Sequence, residues 1–425
     1  MKIKQKIELL APVGDFATLR AVIEAGADAV YLGLKTLNMR ASAKNFSYDD
    51  LKKAVEYSHC HNVKVYVTVN TIIYENELKE LEKHLIAIKN SKADAIIAWD
   101  FAVIQMANKL KIPVHISTQA SIANSERLNF YKKFATRFVL ARELDLNQIK
   151  QIIKKTKADV EVFGHGAMCV SQSGRCFISQ FLYGKSANRG ECIQPCRREY
   201  KITDPETGKE LVLENNFVMS PKDLCTLPFV DILINIGVSS LKIEGRTRSP
   251  EYSKVVVTCY RKTIDAVYNK TFTDEFVSKL LDELSTVYNK KMSSGFFLGL
   301  PTNEDWSDLY GSAATTKKLE LGYVNNYFKK TQIAEVKVQA NNIKVGDDIH
   351  IQGPTTGVID FKLKELVQDY KKVEESHKGK SVTFQIPTIL RKNDRVYKII
   401  NVEQKNKDDY KSIVRERLAK YKLIQ

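Results

Sequence analysis

The sequence predicts an α/β fold, a TIM-like (β/α)8 barrel with a cysteine-rich insert after its seventh strand and a small β-barrel domain at its C-terminal end. Three observations predict it. Residues 7 to about 265 alternate short apolar runs with amphipathic ones. That alternation breaks once, and the break holds four of the seven cysteines. From Gly311 the composition changes to short β-type runs punctuated by Gly, Asn and Asp.

The strand candidates, in order, are IELLAPV from Ile7, AVYLGL from Ala29, VKVYVTVN from Val63, AIIAWD from Ala95, PVHIST from Pro113, RFVLAR from Arg137, VEVFGHG from Val160 and SLKIEGR from Ser240. Between them lie runs such as DFATLRAVIEAG, YDDLKKAVEYSHC and NELKELEKHLIAIKN, whose apolar residues recur at spacings of three and four. Right-handed crossovers place each helix outside the sheet, so eight such units close into a barrel. A doubly wound open sheet is the alternative arrangement. The insert after strand seven includes a hairpin candidate, YKITDPETGKELVL, with Pro205 and Gly208 at its tip. In a barrel such an insert lies at the C-terminal face, where active sites are built.

Residues 250 to 290 read as helical, with Asp274–Asn289 as an extra helix. The runs LGYVNNYF, IAEVKVQ, DDIHIQG and SVTFQI then read as a β-barrel. A basic amphipathic segment, DDYKSIVRERLAKYKLIQ, closes the chain. The domain reading is therefore a barrel over residues 1–300, an insert over about 165–215, and a basic accessory domain with a C-terminal helix over 311–425.

Hydrophobic residues make up 44% of the chain, enough for a sizeable core. No run of about eighteen apolar residues predicts a membrane span. The start, MKIKQKIELLAPVGD, enters a strand directly, without a secretory leader. The 66 Lys and Arg exceed the 50 Asp and Glu, giving +16, which favours a polyanionic partner, nucleic acid foremost. From Gly311 onward 23 basic residues face 14 acidic ones, so more than half of the excess sits in the last quarter, as an RNA grip or as a solvated lysine-rich surface.

Cys169, Cys176, Cys192 and Cys196 crowd into CVSQSGRCFISQFLYGKSANRGECIQPC. An odd cysteine count without a leader points to a reducing, cytoplasmic setting and away from disulfides. The spacing C-x6-C-x15-C-x3-C lacks the paired knuckles of structural zinc, which shifts the expectation toward an iron–sulfur cluster without excluding zinc. Gly174, Gly184, Gly190 and Pro195 permit the turns that bring four sulfurs together. Cys225 is a spare that could replace Cys196. Cys60 and Cys259 lie in helical runs and read as packing residues.

Polar groups gather at the predicted strand ends: Asp15; Asn38, Arg40 and Asn45; Asn70; Ser117, Thr118 and Gln119; Arg142 and Glu143; His165; and Glu244, Arg246 and Arg248. Their position makes them candidates for a site. Arg40, Arg175, Arg246 and Arg248 are the expected anion binders, because the planar guanidinium takes two oxygens at once. His165, between two glycines, is a candidate general acid or base, and Glu244 is the second catalytic candidate. Asp100 and Glu143 are too isolated to form a carboxylate pair. No nucleophile elbow, HExxH motif or P-loop is present.

The segments ELLAPVGDFATLRAVIEAGADAVYLG, NMRASAKNFSYDDL, EVFGHGAMCVSQSGRCFIS, NRGECIQPCRREY and SLKIEGRTRSPEY resemble the collagenase-like peptidase family, peptidase family U, number thirty-two. The resemblance covers the whole barrel in order, and IKVGDDIHIQGP is similar to the translation-factor-like barrel that many members carry. Members include oxygen-independent hydroxylases with a 4Fe-4S cluster. These act on tRNA uridine with prephenate, on rRNA cytidine, or on ubiquinone precursors. Length and the single tail make the tRNA enzyme the nearest in look. The resemblance implies a cluster on Cys169, Cys176, Cys192 and Cys196, with Cys225 as a substitute fourth ligand. It also implies a site lined by Arg40, Asn45, Glu244 and Arg246, prephenate as co-substrate, and a tRNA anticodon region as partner. Peptide hydrolysis, rRNA cytidine hydroxylation and non-catalytic RNA binding around a structural zinc are the alternatives.

Overall fold

The computed structural model describes residues 6–172, 175–210, 217–403 and 409–424. All eight predicted barrel strands form: β1 (Glu8–Pro12), β2 (Ala29–Gly33), β3 (Lys64–Thr68), β4 (Ala95–Ala98), β5 (Val114–Ile116), β6 (Arg137–Val139), β7 (Asp159–Gly166) and, after a short intervening strand β8 (Asp223–Cys225), β9 (Ser240–Ile243). Neighbours pair in parallel from β1 through β7. Leu241 of β9 pairs with Leu9 on one side and Val162 on the other, which closes the barrel and excludes the open sheet. Strand β8 lies antiparallel to the end of β7, with His165 opposite Cys225, and carries β10 (Met292–Ser293) on its outer edge.

The surrounding helices are α1 (Phe16–Glu24), α2 (Tyr48–Cys60), α3 (Leu78–Asn90), α4 (Phe101–Lys109), α5 (Ser125–Tyr131) and α6 (Leu146–Thr156). The insert contributes α7 (Ile178–Tyr183), and α8 (Val230–Ile236), α9 (Pro250–Tyr268) and α10 (Asp274–Ser285) follow. Several strand-to-helix junctions use a short polar residue to satisfy free N–H groups at the helix start. Asp15 accepts from Thr18 N, Asp100 from Ala102 N, and Ser47 and Asp50 form a reciprocal box before α2. Asp15, a candidate by position, and Asp100 are thus helix caps; Asp15 also binds Lys44 at 2.8 Å.

Outward residues such as Leu9, Val30, Leu32, Val65 and Ile96 join the helices in the main core. Alternation sends Leu10, Tyr31, Tyr66 and Ile97 into a second apolar cluster. A charge network also fills the lower barrel. Arg137 binds Glu8, Asp159 (3.2 Å) and Glu161 (3.7 Å), while Lys242 reaches Glu161 at 3.4 Å. Tyr66 donates to Glu8, and Lys64 stands 3.5 Å from it.

The C-terminal domain is an antiparallel sheet in the order Gly357–Lys362, Asp348–Gly353, Arg395–Asn401, Thr316–Phe328, Ile333–Val338, Ser381–Gln385, then two short strands. It docks on the barrel through Lys318–Glu251 (2.6 Å), Lys254–Asp360 (3.2 Å) and Arg20 on the Pro354 carbonyl (3.0 Å). Grouping the closing helix with this domain needs correction. Tyr410, Val414 and Tyr421 of α11 (Tyr410–Ile424) belong to the barrel's core, and Arg417 pairs with Asp305 at 2.8 Å. The extra helix also stops at Ser285, before Asn289. In the predicted hairpin Thr203 pairs with Glu210 across a turn through Gly208; residues 211–213 lie outside the described residues, as does Gly174. Cys259 is buried as expected, but Cys60, at the end of α2, is exposed. No helix among the described residues is long and apolar enough to cross a membrane.

Candidate active site

The C-terminal mouth of the barrel is built where the loop after β2 meets the segment after β9. Three glycines permit this contact. A Cβ on Gly14 would lie 2.3 Å from the Arg246 carbonyl, one on Gly33 2.2 Å from Arg246 Nη1, and one on Gly166 (φ +109) 2.5 Å from the Glu244 carbonyl. Arg246, 3% exposed, donates from Nη1 to Thr68 Oγ1 and from Nη2 to Asn38 Oδ1, both at 2.9 Å. Those partners are neutral. Burial and then the nearby Arg40 bring its pKa down to about 10, so it remains charged at neutral pH.

Glu244 faces Arg40 instead. Its Oε1 accepts from Arg40 Nε (3.1 Å) and Nη2 (2.8 Å), and its Oε2 from Tyr31 Oη (3.2 Å). Burial alone would raise its pKa, but Arg40, then Arg246 and Arg142, hold it down to about 2. The expected catalytic role for Glu244 changes accordingly: a carboxylate so paired is a poor base and serves as a fixed counter-charge. Asn45, at φ +53, donates to the Arg40 and Ala43 carbonyls and shapes this loop from behind. Across the mouth, Asn70 Nδ2 donates to Gln119 Oε1 (3.0 Å), which also receives Ser117 Oγ (2.8 Å).

The cysteine loops sit against this arrangement. Ala41 N donates to the Gly190 carbonyl (3.1 Å), and Gly190 itself, at φ +92, lies so near Asn38 that a Cβ would come within 2.5 Å of its carbonyl. Cys176 N donates to the buried Asn188 side chain at 2.9 Å, and Ser179 Oγ lies 3.9 Å from Cys192 Sγ. Arg197 joins the two ends of the insert by donating to the Met168 carbonyl (2.7 Å), Ser220 Oγ (3.2 Å) and the Pro221 carbonyl. Burial pushes the Cys196 thiol up to about 11; Arg197 opposes the shift, and Cys169, Cys192 and Cys176 add to it. The other three clustered thiols therefore lie near enough to Cys196 to act on it. Each cationic neighbour meets a different thiol: Arg40 is influenced by Cys192, Arg142 by Cys169, and Arg197 acts on Cys196. Among the described residues no three His, Cys, Asp or Glu side chains stand close enough to hold one metal ion. By the chemistry of their donor set, four cysteines with arginines nearby nonetheless fit an anionic all-thiolate group wider than a single ion. Cys225 is away from this set: it is wholly buried in the core, with Tyr260 Oη 3.9 Å from its sulfur.

Three expectations fail geometrically. His165, 2% exposed, has its ring against Tyr260 (Nδ1 to Oη 3.5 Å), and burial lowers its pKa to about 3. It is an enclosed neutral ring, not an acid or base at the mouth, because the flanking glycines let Tyr260 and Glu244 close over it. Arg248 stacks on Tyr288 at 3.7 Å, and Arg175 is exposed on the insert; neither joins the Arg40–Arg246 pair. Two contributors escaped the expected anion binders. Arg142 lies beside Cys169, and Asp223 is a buried acid whose pKa burial raises. Arg142 was legible only as a strand-end residue, and Asp223 carried no sequence signal.

The family model for peptidase family U32 matches residues 14–307, which spans the barrel and the cysteine insert. The chain belongs to peptidase family U32. A U32 relative from Porphyromonas gingivalis named collagenase is 40% identical over 409 residues, covering 93% of this chain and 99% of that protein. Another, tRNA hydroxylation protein P1 of Bacillus subtilis, is 35% identical over 360 residues, covering 83% and 85%. A 23S rRNA 5-hydroxycytidine synthase of Escherichia coli is 38% identical over 263 residues, covering 62% of this chain but 40% of that protein. The match to the U32 family model stops before the C-terminal sheet begins at Thr316.

Proposed function

We propose that this chain is an oxygen-independent RNA hydroxylase that forms 5-hydroxyuridine at the wobble position of tRNA. It would use prephenate as co-substrate and a 4Fe-4S cluster on Cys169, Cys176, Cys192 and Cys196. The observation that carries the reading is a cysteine loop packed against a mouth where Glu244 bonds Arg40 and also feels Arg246 and Arg142. Such an excess of positive charge suits anionic substrates and an anionic cluster. A bound 4Fe-4S group supplies electron transfer and an iron Lewis acid.

The protein's own residues do the rest. Arg246, fixed by Thr68 and Asn38, offers charge to a carboxylate or phosphate. Glu244 and Tyr31 keep Arg40 oriented toward the cysteine loop. The rim favours an unstacked RNA loop. Phe177, Phe181 and Tyr183 of the insert are exposed, Phe181 to 86%, and Arg198 lies over Tyr183 at 5.1 Å. Exposed aromatic rings beside arginines are platforms for splayed bases. Names among the relatives support RNA hydroxylation.

The relative named collagenase makes peptide hydrolysis the competing reading. It needs an activated nucleophile, and the hydrogen bonds of the described residues pair no histidine with a serine, threonine or cysteine at the mouth; His165 meets Tyr260. Mass spectrometry of tRNA and rRNA nucleosides from a deletion strain tests the proposal. Loss of 5-hydroxyuridine from tRNA is expected, restored by the wild-type gene. An intact tRNA profile with 5-hydroxycytidine missing from rRNA would move the substrate to rRNA, and two intact profiles would defeat RNA hydroxylation.

A further inference from the structure

Beside the first cysteine a cavity of about 260 Å³ opens between the ends of β5 and β6 and the start of the insert. Arg142, Met168, Cys169 and Phe296 line it, together with the polar Thr118 and Ser121 and the exposed Glu143. Arg142 enters from the end of β6. One nitrogen, Nη1, donates to the Ala167 carbonyl at 2.9 Å, and the guanidinium lies over the Phe163 ring at 4.5 Å. These contacts fix the plane of the fork. The other two nitrogens, Nε and Nη2, are buried and have no hydrogen-bond partner among the described residues.

That is a costly way to leave a cation. Buried donors are nearly always satisfied, and charged ones lose most when they are not. Nε and Nη2 share one edge of the guanidinium, the edge that grips both oxygens of a carboxylate in parallel. Met168 and Phe296 give the same cavity an apolar wall, while the Thr118 hydroxyl is already committed to the Leu140 carbonyl at 3.1 Å. A fixed, unfilled fork beside apolar side chains matches a small organic acid, with a charged end and an apolar body, better than a phosphate on a polynucleotide backbone.

We propose that this cavity is a carboxylate-binding pocket for a small organic acid, clamped by the Nε–Nη2 edge of Arg142. The pocket is lined by neither Arg40 nor Arg246, although Arg142 stands near enough to Glu244 and Arg40 to feel both charges. It rests on the reading above that the reaction takes a carboxylate co-substrate, and it assigns that acid a place next to Cys169.

Calorimetric titration of the purified full chain with prephenate, with inorganic phosphate and with tRNA tests this, on wild type, Arg142→Lys and Arg142→Met. Melting temperatures establish that each variant is folded. The Lys variant keeps the charge and loses the fork, so both variants are expected to weaken prephenate binding, by on the order of tenfold for Lys and a hundredfold for Met, with tRNA affinity within twofold of wild type. Unchanged prephenate affinity in both variants would overturn the pocket, as for a fork satisfied by water alone, and would leave tRNA hydroxylation to stand on the nucleoside profile. A loss confined to tRNA or phosphate would overturn it in favour of a backbone phosphate. Absence of prephenate binding to the wild type would overturn both the pocket and the co-substrate, while the deletion-strain profile would still report on RNA hydroxylation separately.

Discussion

The two ends of the barrel interior use charge in opposite ways. At the lower end Glu8, Asp159 and Glu161 face Arg137, Lys242 and Lys64, three acids against three bases. At the mouth the buried Glu244 bonds Arg40 and also feels Arg246 and Arg142. A balanced buried network contributes to folding only while it is whole, and removing one member strands the others. An unbalanced one is a cost to folding that a ligand offsets. The lower end thus serves the fold, and the mouth is where we propose that anions bind.

The largest expected effect concerns the anionic group itself. Replacing Cys169, Cys176 or Cys192 by Ser should strip iron from anaerobically purified protein and abolish its brown absorption, while Cys225→Ser, altering a core residue beside Tyr260, should retain both. Iron retained in the first three, or lost with Cys225, would put the cluster elsewhere. Next comes the lower end. Arg137→Met strands Glu8 and Glu161 and should cost about 3–5 kcal/mol in denaturant unfolding. A loss below about 1 kcal/mol would mean that water or relaxation already compensates those acids.

Glu244→Gln is a smaller perturbation. It keeps the shape but releases Arg40, and should lower kcat/KM about tenfold, with the fold intact. Full activity in this variant would show that the orientation of Arg40 is immaterial. Acid stability is a further expected effect. Burial lowers the pKa of His84 to about 4 and of His165 to about 3, from the imidazole's ordinary 6.5. Their neutral forms are native, so below pH 6.5 the unfolded chain binds more protons and stability falls as pH drops. Between pH 6.5 and 5 each should cost about 2 kcal/mol. His165→Asn should flatten that slope; an unaltered slope would mean that the ring opens to solvent.

The barrel was readable because strands buried on both faces are short apolar runs set between helices of clear periodicity. Even so, the sequence hid what the strands carry inside. Glu8, Glu161 and Lys242 sit within IELLAPV, VEVFGHG and SLKIEGR, and nothing local says that three strands distant in sequence bring them together. The cysteine loop was legible from its density. The fate of His165 was not, because it depends on Tyr260, 95 residues away. Arg142 and Arg248 are both strand-end arginines, yet one has free nitrogens over a cavity and the other covers Tyr288. That distinction exists only in three dimensions.

The contrast between the two ends is tested most directly by Arg246→Met, expressed in the deletion strain and measured for both melting temperature and tRNA 5-hydroxyuridine. Arg246 is bonded to Thr68 and Asn38, so its loss strands no carboxylate. The account predicts a melting temperature at or near that of the wild type and tRNA without 5-hydroxyuridine. A variant that still modifies tRNA, or that unfolds as Arg137→Met is expected to, would contradict it.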